Sequence, residues 1–267
     1  MTDSPASTLL FTRVRFVLVE PTLAANIGAA ARAIKTMGFS RLVVVAPRDP
    51  DYRQDADAIA RSTGAADVLA ASEAAADLTQ ALAGVTLAIA MTGYDREFGP
   101  RLLDLRSVAL RLADELHVMP AGEVAFVFGT ERSGLSNADL MRCQLSCAIP
   151  ANPEFASLNL AQSVQVAAYE CQLALRASTA IQPGQQRFQG GDPPASVDAL
   201  EKLYAEFERA ATVVGFHDPA EPKTLMPRLR RLLGRARPTQ TEVDLLRGVL
   251  AAVIESRADR AGRKQRS

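Results

Sequence analysis

The sequence predicts an α/β fold, a mainly parallel sheet with helices on both faces, followed by a small helical C-terminal extension. Three observations predict it. Short runs of Val, Ile, Leu and Phe recur through the first 150 residues, Ala-rich segments of helical periodicity separate them, and beyond residue 196 the pattern is helical alone. Runs that are apolar at every position suit strands buried on both faces, and their alternation with helices implies parallel pairing through crossovers.

The strand candidates, in order, are 14–20 (VRFVLVE), 41–47 (RLVVVAP), 85–93 (VTLAIAMTG), 123–131 (EVAFVFGTE) and 145–151 (LSCAIPA). Helices are expected over 24–37, ending at Gly38, over 72–83, ending at Gly84, over 104–117, and over 156–177. Residues 182–196 (QPGQQRFQGGDPPAS) have linker composition. Three further helices follow. Leu200, Leu203, Phe207, Ala211 and Val214 form one apolar stripe stopped by Gly215, and Leu225, Leu229 and Leu232 form a second. Thr239 with Glu242 is a capping box opening a third helix, with Val243, Leu246, Leu250 and Val253 inward. Three short helices are marginal alone and are expected to dock on something. The organisation expected is a body over 1–177, a linker over 178–197 and a basic helical unit over 198–267.

Of the 267 residues, 48% are hydrophobic, enough for one sizeable core and a smaller accessory unit. No apolar run approaches the roughly 20 residues of a membrane span, and the start, MTDSPASTLLFTR, lacks the pattern of a secretory signal, so a cytoplasmic protein is expected. Three cysteines and two histidines are a poor inventory for metals. Cys143 and Cys147 lie four apart rather than in a CxxC pair. Charge is balanced at 30 basic and 30 acidic residues but segregated: from Lys223 onward 12 Lys and Arg face 4 Asp and Glu, leaving 18 against 26 before it. A basic appendage beside an acidic body suggests a polyanion partner; a solvated tail over 257–267 is the plainer reading.

Ligands of α/β sheets bind beyond the carboxyl ends of the strands, and four such ends carry unusual residues. After Glu20-Pro21, Asn26 can cap a helix on which Gly28 and Arg32 share a face, Gly28 admitting a backbone or substrate and Arg32 projecting over the bare patch. Gly129-Thr130-Glu131-Arg132-Ser133-Gly134-Leu135 has two glycines that permit a tight excursion, but neither the P-loop nor the GxGxxG pattern. Its acidic centre suits a positively charged cofactor with a neutral adenosine, and an NAD-dependent Rossmann enzyme lacks its fingerprint here. Ile149-Pro150, then Ser157-Leu158-Asn159-Leu160, is a rigid strand exit feeding polar groups into an apolar helix, where Ser157 or Asn159 can cap. Met91-Thr92-Gly93 is a weaker fourth.

Together these segments resemble the SPOUT class of methyltransferases. Asn26-x-Gly28-x-x-x-Arg32 resembles the first motif of that class. Phe128-Gly129-x-Glu131-x-x-Gly134-Leu135 resembles the second, and Ile149-Pro150 with Ser157-Leu158-Asn159-Leu160-Ala161 the third. ANPEFASLNLAQSVQVAAYE (151–170) and MPRLRRLLGRARP (226–238) are similar to the TrmJ-like tRNA 2′-O-methyltransferases, so the resemblance covers nearly the whole chain. It implies a deep trefoil knot in the body, a homodimer, and S-adenosylmethionine-dependent methylation of the ribose of cytidine or uridine 32 in the tRNA anticodon loop, with no metal needed for cofactor binding. It also implies roles. Arg32 would engage the target phosphate and activate the 2′-hydroxyl, by its field or as a base, although an arginine is an unusual base. Asn26 and Glu131 would position Arg32 and the ribose, and Ser157 and Asn159 would shape the catalytic pocket. Met91, Thr92, Gly93, Gly129, Ile149, Ser157 and Leu158 would hold the cofactor. The chain departs from the pattern at Ala25, where glycine is common, and at Tyr94, where an arginine is expected and Arg96 stands nearby. A ribose methyltransferase acting on ribosomal RNA or another tRNA position, or a non-catalytic RNA-binding knot, are the alternatives.

Overall fold

The computed structural model describes residues 9–97, 99–119, 121–179 and 192–255. Seven parallel strands form one sheet in the order β3-β2-β1-β6-β4-β7-β5. They are β1 (Val14–Val19), β2 (Arg41–Val45), β3 (Glu73–Ala75), β4 (Val85–Met91), β5 (Arg101–Asp104), β6 (Glu123–Phe128) and β7 (Leu145–Ala148). All five expected strands are present. Two short ones, β3 and β5, were not expected: three and four residues at the sheet edges carry too little pattern to register. The helix expected over 72–83 is instead β3 followed by one turn of helix, because parallel pairing of three residues with β2 outweighs the helical propensity of its alanines.

The helices are α1 (Ala24–Thr36), α2 (Ala56–Arg61), α3 (Ala66–Ala70), α4 (Leu78–Ala81), α5 (Leu105–Val118), α6 (Asn137–Leu140), α7 (Leu160–Thr179), α8 (Val197–Val213), α9 (Leu225–Ala236) and α10 (Gln240–Ile254). Alternate strand residues feed two cores, as period-2 geometry requires. Phe16, Leu18, Phe126 and Phe128 face α1, α5 and α7, while Val17, Val19, Ala125 and Val127 face α4 and α6. Each fully buried Phe contributes about 1.5–3 kcal/mol. Gly28 serves a helix rather than a substrate. A Cβ there would lie 2.0 Å from the carbonyl oxygen of Ala58, so the expected bare patch is filled by the backbone of α2.

Each expected strand ran past its true end into the loop that follows, and those loops are irregular for a reason. Glu20 and Ala46 turn the chain out of β1 and β2 with φ of 49° and 41°, a left-handed conformation that costs non-glycine residues about 1–3 kcal/mol. Bonds from Glu20 N to Val45 O and from Ala46 N to Ala75 O hold them there.

The C-terminal helices dock on the body. Val197 enters the second core, Asp198 accepts from Gly84 N, and Arg237 reaches both Glu115 and the Thr86 carbonyl. Their own core is Leu200, Leu203, Tyr204, Ala210, Leu233, Val243 and Leu250. Val214, Leu232 and Val253, expected inward, are 59%, 52% and 44% exposed, since each stripe narrows where a helix meets only one neighbour. The Thr239–Glu242 capping box forms as expected. Of the linker, 180–191 lies outside the described residues. Residues 192–195 are pinned to the start of α10, through Asp192 to Thr241 N and Ala195 N to Pro238 O. The tail over 257–267 also lies outside the described residues. No described helix is long and apolar enough to cross a membrane.

Candidate active site

The loops after β4, β6 and β7 surround one open cleft of about 280 Å³, at the lower end of the roughly 300–1,000 Å³ of small-molecule sites. Met91, Thr92 and Gly93 line it from β4, Gly129 and Glu131 from β6, and Ile149, Ser157 and Leu158 from the segment before α7. All seven residues expected to contact a cofactor therefore share one cavity. Its walls mix apolar and backbone surface: a Cβ at Gly93 would meet open space. No lysine lines it, and of its two arginines Arg96 is committed elsewhere. Such a lining fits a neutral adenosine rather than a polyphosphate.

The β6 loop folds back on itself. Thr130 and Gly134 exchange both backbone bonds, Gly134 turning at φ 67°. A Cβ at Gly129 would lie 2.0 Å from the Gly134 carbonyl carbon, so only glycine fits.

Three distant residues meet at the rim. Glu131 accepts from Thr22 N (2.9 Å), Thr22 Oγ1 (2.8 Å), Leu23 N (3.2 Å) and Asn26 Nδ2 (2.9 Å). Asn26 Oδ1 accepts from Asn159 Nδ2 at 3.0 Å, and Asn159 Oδ1 accepts from Ala161 N at 2.9 Å. The direction of this chain is forced. A carboxylate only accepts, so Asn26 must present its amide nitrogen to Glu131, which leaves its oxygen for Asn159. Asn159 is thus the cap of α7, which begins at Leu160, not 156. Asn26 is not a cap: α1 starts after Leu23 without a side-chain cap, and Glu131 instead accepts from the amides of Thr22 and Leu23 just ahead of the helix. Burial pushes the Glu131 carboxyl up, but the bonds from Asn26 and Thr22 outweigh it and hold the group below its ordinary value. The acidic loop therefore does not offer a free counter-charge, since its oxygens already have donors.

Ser157 is exposed and lines the cleft. Arg32 is exposed on α1, does not line the cleft, and has no side-chain partner among the described residues. Sequence reasoning missed Thr22, which gives Glu131 two donors from 109 positions away, and no local signal marks it. It also missed the strut made by Arg96, which donates to Asn137 and to Leu135 O (2.9 Å) and so ties the β4 loop to the β6 loop beneath the exposed Tyr94 ring. The three cysteines are buried and free; burial pushes the Cys147 thiol up to about 12 and the other two well above the usual range. No group of three or more His, Cys, Asp or Glu suited to a metal occurs among the described residues.

A parallel sheet with a nucleoside-sized cleft at its carboxyl edge is the architecture of an α/β enzyme acting with a small molecule. The SpoU rRNA Methylase family matches residues 13–169, and the tRNA methyltransferase TrmJ C-terminal domain matches 198–265. The chain is 41% identical over 242 residues to the tRNA (cytidine/uridine/adenosine-2′-O-)-methyltransferase TrmJ of Pseudomonas aeruginosa (strain UCBPP-PA14), covering 89% of this chain and 92% of that one. It is 40% identical over 250 residues to the tRNA (cytidine/uridine-2′-O-)-methyltransferase TrmJ of Cronobacter sakazakii (strain ATCC BAA-894), covering 92% and 98%. Among solved structures, TrmJ from Z. mobilis ZM4 superposes with a TM-score of 0.75 at 30% identity, covering 90% of this chain and 99% of that one. The chain belongs to the SpoU methylase family, in its TrmJ branch, and is a methyltransferase.

Proposed function

We propose that the protein methylates the ribose 2′-hydroxyl of cytidine or uridine 32 in the tRNA anticodon loop, with S-adenosylmethionine as donor, acting in the cytoplasm as a homodimer. The observation that carries this reading is the hydrogen-bonded convergence of Asn26, Glu131 and Asn159 on the rim of one adenosine-sized cleft. The two relatives above, named as tRNA 2′-O-methyltransferases, support the substrate class.

Met91, Thr92, Gly93, Gly129, Ile149, Ser157 and Leu158 would hold the donor, largely through backbone groups. When bound, the donor would supply an electrophilic methyl carbon for displacement by the ribose 2′-oxygen. Alignment dominates such a displacement, and the protein supplies it by fixing three loops. Asn26, Glu131 and Asn159 are positioning residues, every polar atom of theirs in the network engaged by protein. Ser157, with no side-chain partner among the described residues, faces the substrate.

Arg32 would act from the partner subunit's side of the cleft. On α7, Tyr169 and Leu173 form a short outward stripe, 47% and 41% exposed, and this helix packs on α1, which carries the exposed Arg32. An apolar stripe next to an unpartnered cation suits an isologous two-fold interface. The strand order, with β6 inserted beside β4 and β7 on its other side, supports the trefoil knot. A division into a body over 1–177, a connector over 178–197 and a tRNA-binding unit over 198–267 accompanies this reading.

The test is incubation of purified protein with unmodified tRNA transcript and labelled S-adenosylmethionine, followed by mass spectrometry of the RNA. A 2′-O-methyl group at nucleotide 32 is expected. Methylation elsewhere would overturn the position, and RNA that binds without accepting a methyl group would overturn the activity. Arg32→Ala should lower transfer by about 100-fold or more while calorimetry shows unchanged donor affinity. Full activity would remove Arg32 from the mechanism.

A further inference from the structure

The seam between the body and the C-terminal helices gathers positive charge. α9 carries Arg228, Arg230, Arg231 and Arg235, with Arg231 and Arg235 one turn apart. At Gly234 this helix lies against the backbone of Gln144, where an added Cβ would stand in ordinary contact, 3.6 Å from the carbonyl oxygen. This packing gathers Arg230, Arg231 and Arg235 with Arg101, the first residue of β5, around a shallow crevice of about 10 Å³, so an anion would rest at its mouth. No carboxylate lines the crevice.

The four guanidinium groups are not equivalent. Arg230 is committed to Glu201, with Nη2 to Oε2 at 2.7 Å, and lies 4.2 Å over the Tyr204 ring. Arg231 donates to the Glu97 carbonyl at 2.6 Å. Arg101 and Arg235 are exposed and have no side-chain acceptor among the described residues. Two free guanidiniums beside two fixed ones repel each other unless an anion sits between them. The fork geometry of arginine matches the two free oxygens of a phosphodiester. Position adds to chemistry. Glu97 directly follows Arg96, which lines the proposed methyl-donor cleft with Met91–Tyr94, so an anion at the seam borders the loop that shapes that cleft.

We propose that this seam is a binding site for backbone phosphates of tRNA, with Arg101 and Arg235 as the contacting pair and Arg231 bracing the site to the Glu97 loop. It rests on the tRNA reading above but goes beyond a basic C-terminal unit. Half of the site belongs to the body, so the RNA track is composite and exists only while α9 is docked.

The experiment is fluorescence anisotropy of labelled, unmodified tRNA transcript against full-length protein across a salt titration. Three double variants are compared with wild type: R101E/R235E, the neutral R101Q/R235Q, and the control R61E/R111E. The control removes two exposed arginines on α2 and α5, without side-chain partners among the described residues, and makes the same charge change away from the seam. Both seam variants should weaken binding by about tenfold or more at fixed salt. They should also flatten the slope of log Kd against log salt by about 2, roughly 0.9 per lost phosphate contact, while the control keeps the wild-type slope. Seam variants that bind no worse than the control overturn the proposal, even if wild type methylates tRNA normally. A wild-type protein that neither binds nor methylates tRNA overturns the tRNA reading and this site with it.

Discussion

Glu131 shows how one side chain ties distant segments together at the edge of a cleft. Its carboxylate accepts from the amides of Thr22 and Leu23 just ahead of α1, and through Asn26 reaches the cap of α7. Hydrogen bonds to a charged group contribute about 1.5–3 kcal/mol each, and unmet ones cost similarly. Glu131→Gln keeps the shape but turns one acceptor into a donor aimed at donors, so chemical denaturation at pH 7 should show a loss of about 1–3 kcal/mol. The sign of the pH dependence follows from the direction of the shift. A carboxyl held below its ordinary value in the folded protein adds stability that is fully present above the unfolded value of about 4.3, and is lost as pH falls through the folded one. The gap between wild type and Glu131→Gln should therefore narrow under acid. A gap that is constant from pH 7 to pH 3 would mean the ionised carboxylate is not what holds the network.

At the scale of elements, the packing of α1 on α2 depends on an absent atom. Ala is a better helix former than Gly by about 0.8–1.0 kcal/mol, so Gly28→Ala should stabilise α1 taken alone. A Cβ 2.0 Å from the Ala58 carbonyl oxygen reverses that, because backbone cannot swing aside as a side chain does. Overpacking costs about 1–3 kcal/mol, and the net effect should be destabilising and visible as a lower urea midpoint. A raised midpoint would show that α2 does not rest on Gly28. The same close approach sets the tilt of α1, and with it the reach of Asn26 to Glu131. Gly28→Ala should therefore also weaken donor binding in calorimetry, although Gly28 lines no part of the cleft.

At the scale of the whole molecule, the question is whether one chain holds a complete site. Arg32 lies outside its own cleft, on the surface beside the Tyr169–Leu173 stripe. If a two-fold assembly brings it to the partner's cleft, then mixing Arg32→Ala protein with Asn159→Ala protein should restore activity that neither has alone. Random exchange gives half mixed dimers with one intact site each, about a quarter of wild-type activity. No recovery after verified subunit exchange would place Arg32 and its cleft in the same chain. The C-terminal helices belong to the same scale. They bury Val197 in the body and give Glu115 its partner Arg237, so a truncation before them would damage the sheet as well as any RNA surface. Point variants at the seam are the cleaner probe.

By itself the sequence determined the layered α/β class, five of the seven strands, the helical extension and the three motif segments. These follow from local periodicity, glycine placement and capping chemistry, which neighbours along the chain enforce. The strand ends, readable as apolar runs that stop, pointed to the loops that surround the cleft, and the seven positions that the family resemblance implied for the cofactor all line it. Only the tertiary structure decided the rest. β3 and β5 exist because longer strands offer them bonds, Asn26 leaves capping because Glu131 arrives from 105 residues away, and Gly28 answers to a helix no pattern places beside it. Arg101 and Arg235 line one crevice only when α9 docks against the backbone of Gln144, just before β7. Each of these depends on which distant segments share a surface, and hydrophobic patterning fixes which face a segment buries but not what it is buried against.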